Sequence, residues 1–125
     1  MSLEPARGDI LLHFFAYLEA RGIPYCVVGD SKHYPAKIES DVDIVVPEEI
    51  VPFCPSLVQA FAKVEGIYFV QNLHHEQNAW YLVLTWRALN TNYCFLSLDI
   101  SGNYFHNGRC FLEARELLER RTRSS

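Results

Sequence analysis

Asp41 and Asp43 flank a single valine at the head of an apolar run, Asp41-Val42-Asp43-Ile44-Val45-Val46. A run of valine and isoleucine reads as a buried strand, and a carboxylate is costly to bury without a partner. Side chains alternate along a strand, so the two aspartates share one face. Two strand steps set their Cα atoms roughly 6.5 Å apart, a gap that carboxylate arms can close. Like charges so held favour a divalent cation between them, and an all-oxygen donor set favours Mg²⁺ over zinc.

A third carboxylate ends a later apolar segment, Tyr93 to Ile100. Alternation there gives Cys94, Leu96, Leu98 and Ile100 one face and Tyr93, Phe95, Ser97 and Asp99 the other. Upstream, Gly29-Asp30-Ser31 breaks a strand that ends in Val27-Val28. A glycine turn lets backbone N–H groups approach phosphate closely. Ser31 can donate to a phosphate oxygen, and Lys32 and Lys37 can offset the charge of Asp30. Three carboxylates and a phosphate-compatible turn have a shared use in phosphoryl or nucleotidyl transfer. In such a reaction an aspartate pair can hold one Mg²⁺ on a triphosphate, and a third carboxylate can share a second ion and help activate an acceptor hydroxyl.

Positioning these residues requires an alternating set of elements. The spacing predicts a first helix over Asp9 to Arg21, capped by Asp9 and ended by Gly22. A first strand follows over Ile23 to Val28, then the aspartate strand, closed by Pro47. A second helix is expected from Pro55 to Val64, with Gly66 at its end. Strands are expected over Ile67–Asn72, Trp80–Trp86 and Tyr93–Ile100. His74 to Asn78 reads as a polar turn, and Leu89 to Asn92 as a hairpin loop. A last helix is expected from about Glu113 to Arg121. The expected fold is α/β (α+β), a mixed sheet of about five strands with helices mainly on one face. It forms one domain over 1–125, alone or as the N-terminal part of a longer protein.

The order of these features resembles the minimal nucleotidyltransferase domain of the polymerase-beta-like superfamily. The resemblance covers Ile23 to Ile100. It rests on Val27-Val28-Gly29, the Ser31 hydroxyl, Ser40-Asp41-Val42-Asp43-Ile44-Val45-Val46 and Leu98-Asp99-Ile100. It implies that Asp41 and Asp43 are the metal pair, that Asp99 is the third catalytic carboxylate, and that Gly29, Ser31 and Lys32 meet the nucleotide. The implied activity is Mg²⁺-dependent transfer of an NMP from an NTP to a hydroxyl acceptor, with ATP among the candidate donors and a two-ion site. The segment Tyr104 to Leu118, with Asn107-Gly108-Arg109, is similar to bacterial members found near polysaccharide biosynthesis. Superfamily members place glycine directly before Ser or Gly, whereas Asp30 intervenes here.

Two other functions fit parts of the pattern. A non-catalytic descendant would keep the fold as a binding or regulatory module, which suits Asp30 and the acidic charge. Metal-dependent glycosyltransferases also use Asp-x-Asp, but their apolar strand precedes the motif. Here Ile44-Val45-Val46 follows it.

Composition narrows the partners. The net charge of −4 argues against an extended nucleic-acid surface. Five arginines between Arg109 and Arg123 are interleaved with Glu113, Glu116 and Glu119, as on a solvated helix. No apolar stretch reaches the ~18 residues of a membrane span. The start lacks the features of a signal peptide, so a cytoplasmic location is the default expectation. Cys26, Cys54, Cys94 and Cys110 match no zinc or redox spacing and read as mostly reduced, partly buried thiols. His74-His75-Glu76 reads as a surface turn rather than a metal site. Trp80, Tyr81, Trp86 and Phe95 read as core or interface, and an exposed face among them would favour a homodimer.

Overall fold

The computed structural model describes residues 6–28, 38, 41–76, 79–87 and 93–102. Gly29, Ser31, Lys32 and the helix expected at Glu113 to Arg121 lie outside these residues, as do Cys110 and the loop at Leu89 to Asn92.

Helix α1 spans Arg7–Ala20 and is driven by an apolar stripe. Ile10, Leu11, Phe14, Phe15 and Leu18 are each almost fully buried. Its N-cap is Ala6 rather than Asp9. Asp9 lies one turn inside, where its Oδ2 accepts the Ala6 N–H at 3.3 Å. The carboxylate therefore satisfies a helix-start donor from the third position, which extends the helix by two residues. The C-terminal end is as expected. Gly22 takes φ +69°, and the Ile23 N–H donates to the Leu18 carbonyl at 3.0 Å, closing the helix with a left-handed residue.

Strand β1 (Cys26–Val28) and strand β2 (Val42–Val45) follow. A 3₁₀ helix over Glu48–Phe53 leads into α2 (Cys54–Glu65), which carries a proline in its first turn and ends at Gly66, φ +74°. Strands β3 (Tyr68–Glu76), β4 (Ala79–Arg87) and β5 (Tyr93–Ser101) complete the described chain. The polar turn expected at His74 to Asn78 is corrected in part, because β3 continues through Glu76. Cross-strand pairing with Ala79–Tyr81 carries these polar residues, and His74 stacks on Trp80 with ring centroids 4.4 Å apart. Pairing and ring contact thus override the low strand propensity of the segment.

The five strands form one mixed sheet in the order β1-β2-β5-β4-β3. Among the described strands β2 and β5 run parallel, and the other neighbouring pairs are antiparallel. The parallel pair is bridged by the 3₁₀ helix, α2 and the β3–β4 hairpin, as a crossover demands. The fold is α+β.

The described helices α1 and α2 pack on one face of the sheet. Val42, Ile44, Leu82, Leu84, Leu96, Leu98 and Ile100 project from the sheet into a single core with Phe14, Phe15, Val58 and Phe61. Phe61 of α2 meets Phe14 and Tyr17 of α1 edge-on, at 5.1 Å and 5.5 Å between centroids. Burying rings such as Phe14 and Phe61 stabilises the fold by about 1.5–3 kcal/mol each. The alternate residues of the central strands face away from the helices.

Cys54 is buried and Cys94 half-buried, and both are free thiols. Cys26 is disulfide-bonded, which corrects the expectation of a thiol there. Spacing along the chain does not say which sulfurs lie within bonding distance, so the pairing is not readable from the cysteine pattern. Among the described residues, no helix is long and apolar enough to cross a membrane.

Candidate functional site

The three aspartates singled out from the sequence come together on the face of the sheet opposite α1 and α2. Asp43 of β2 is the direct register partner of Asp99 on the parallel neighbour β5. Val28 flanks Asp43 on the other side, and Tyr81 of β4 flanks Asp99. One transverse row therefore reads Val28, Asp43, Asp99, Tyr81. Asp41 precedes β2, one step before the Val42–Leu98 pairing, which sets it level with Ser97 in the next row. The local cause is alternation. Val42 and Ile44 are buried in the core, which turns Asp41 and Asp43 outward. Leu98 and Ile100 do the same for Asp99.

Asp41 is exposed, whereas Asp43 and Asp99 are half-buried. The carboxyl of Asp43 is pushed above the ordinary aspartate range. Burial is the largest cause, and the negative charges of Asp99 and then Asp41 add to it. The three groups thus form a region of concentrated negative potential in which Asp43 resists ionisation. That is the electrostatic setting in which a cation is attracted.

Tyr81 donates its hydroxyl to Asp41 Oδ1 at 3.4 Å, a long and exposed hydrogen bond that spans β4 and the start of β2. Sequence reasoning placed Tyr81 in the core or at an interface. Its link to the aspartates depends on the β4–β5 register, in which Arg87 faces Tyr93 and Tyr81 consequently faces Asp99. The hairpin expected between these strands was the available signal, but a loop of unspecified register does not say which residue meets Asp99.

Among the described residues, no group of three or more His, Cys, Asp or Glu side chains is placed to hold a metal ion. The aspartates feel one another's charge without closing into a cage. Two carboxylate donors, one in β2 and one just before it, suit an ion that takes only one or two protein carboxylates. Mg²⁺ binds in this way, completing its shell with waters and substrate phosphates. Asp41 and Asp43 fit that role by donor chemistry. His74, exposed on β3 and stacked on Trp80, is occupied by ring contact. The position of Arg109 lies outside the described residues.

Neither a scan against protein-family models nor a search of curated proteins found a match to this chain.

Proposed function

We propose that this protein is a Mg²⁺-dependent nucleotidyltransferase that moves an NMP from an NTP to a hydroxyl acceptor and releases pyrophosphate. The observation that carries this reading is the pairing of Asp43 with Asp99 across parallel strands, with Asp41 on the same face one row away. A surface with this charge would repel a triphosphate unless a cation were shared between them. Asp41 and Asp43 would hold that cation, and Asp99 completes the acidic row. Bound Mg²⁺ would supply neutralisation of the triphosphate and of the departing pyrophosphate.

The chain's own groups then have distinct tasks. Asp41, steadied by the Tyr81 hydroxyl, and Asp43 orient the triphosphate. Asp99 lies beside Asp43 and accepts the proton of the acceptor hydroxyl. The hydroxyl oxygen forms its new bond to the α-phosphorus, the α–β bridging bond breaks, and pyrophosphate leaves with the electron pair. Gly29, Ser31 and Lys32 are proposed to meet the phosphates from the turn that follows β1.

A non-catalytic binding module is the second reading. The absence of a closed three-carboxylate group among the described residues favours it, as does Asp30 in the glycine turn. Pyrophosphate release from each NTP, in the presence of Mg²⁺ and a mixture of hydroxyl-bearing acceptors, separates the two. Release that Asp43→Asn abolishes in a folded protein supports transfer. Release unchanged by that substitution contradicts it.

A further inference from the structure

We propose that the sheet face opposite α1 and α2, beside the aspartates, contains a nucleoside subsite in which the ring of Phe95 stacks against the base of the bound NTP. The inference rests on the nucleotidyltransferase reading and locates the part of the donor that the aspartates do not touch. Alternation along β5 puts Tyr93, Phe95, Ser97 and Asp99 on this face. Phe95 is 47% exposed and Tyr93 59%, while their neighbour Leu96 is 1% exposed in the core. Across the sheet, Phe95 faces Thr85, which in turn faces Tyr68 on β3, and Tyr68 is 65% exposed. Aromatic rings left uncovered together, rather than singly, are the kind of surface that marks a binding site.

The register relates these rings to the aspartates. Asp41 is level with Ser97, so Phe95 lies one strand across and two residues along. Strand spacing and rise put their Cα atoms about 8 Å apart. Asp99, four residues along β5, is roughly 13.5 Å from Phe95. A triphosphate held at Asp41 and Asp43 therefore sets its ribose over Ser97 and its base over Phe95. Thr85 lies between Phe95 and Tyr68. It is buried, and its hydroxyl donates to the Cys94 carbonyl at 2.7 Å. Ring faces, rather than the Thr85 hydroxyl, meet the base. Stacking of this kind is tolerant of base identity, so the subsite binds the four nucleosides with little preference.

Calorimetry on the full chain tests this, with ATP and inorganic tripolyphosphate as probes, each with Mg²⁺. Wild-type protein should bind ATP more tightly than tripolyphosphate. Phe95→Leu should weaken ATP by roughly tenfold and leave tripolyphosphate unchanged, and Phe95→Tyr should keep wild-type affinity. Far-UV circular dichroism verifies that each variant is folded. Equal ATP affinity in wild type and Phe95→Leu overturns the subsite, as does an equal loss of both probes. If wild-type protein binds tripolyphosphate and ATP equally, the subsite fails while the phosphate site stands. If it binds neither, the nucleotide reading itself fails and the subsite with it. Sedimentation that shows a dimer dissociated by Phe95→Leu, with ATP binding unchanged, assigns the face to a second copy and overturns the proposal.

Discussion

Replacing Asp43 with asparagine should stabilise the metal-free protein at pH 7. Neighbouring strands are about 4.8 Å apart, so the register-paired carboxylates of Asp43 and Asp99 come within about 5 Å. Two unit charges at that distance repel by about 0.8 kcal/mol in bulk water and about 3.3 kcal/mol at an effective dielectric of 20. Asp43 is only half-buried, so solvent screening pulls the value toward the lower limit, and a gain of about 1 kcal/mol is expected. For a domain of this length that corresponds to a rise of roughly 3–5 °C in Tm. The sign follows from linkage. Because the folded-state carboxyl of Asp43 is raised, its protonated form is favoured by folding. Its contribution is most favourable below the unfolded pKa and is lost as pH rises through the folded one. The difference between variant and wild type should accordingly be present at pH 7 and vanish on acidification below the ordinary aspartate range. Urea denaturation in EDTA across this pH range measures it. An Asp43→Asn protein that is less stable than wild type at pH 7 would refute the cost assigned to a charged Asp43, as would a difference that does not depend on pH.

Other consequences can be measured separately. Tyr81→Phe removes the donor to Asp41, whose exposed bond contributes little to folding, so stability should stay within about 0.5 kcal/mol. Mg²⁺ titrations with ATP present should nevertheless weaken about tenfold, the lower end for a group that orients a metal ligand. Phe61→Ala empties a fully buried position that joins both helices, and denaturant unfolding should show a loss of about 3–5 kcal/mol. Burial pushes the Cys54 thiol up to about 12. In the native protein at pH 8 it should therefore resist alkylation, and it should label once the chain unfolds. Peptide mapping should find Cys26 labelled only after reduction.

Much of this architecture was legible in the sequence, because period-2 and period-3.6 patterns are local. Gly22 and Gly66 ended the helices where a left-handed residue was needed. The parity of Asp41, Asp43 and Asp99 followed from the apolar residues between them. The polar end of β3 was not legible. His74, His75 and Glu76 have no strand signature of their own and are held by the β4 pairing. Nor did local pattern supply the parallel β2–β5 register or the Tyr81–Asp41 bond, since both are set by contacts distant in sequence. Phe95 and Tyr93 show a further limit. Aromatic residues on a strand suggest burial, but Phe95 and Tyr93 lie on the face opposite α1 and α2 and are exposed. Cys26 was misread for a similar reason, because spacing says nothing about which sulfurs meet in space.

Titration calorimetry of the wild-type chain with each of the four NTPs, with and without Mg²⁺, tests the nucleotidyltransferase assignment most directly. Binding that requires Mg²⁺ and disappears in Asp43→Asn is the result predicted by the paired aspartates. A well-folded wild-type protein that binds no NTP in the presence of Mg²⁺, or that binds equally well without it, would contradict the assignment.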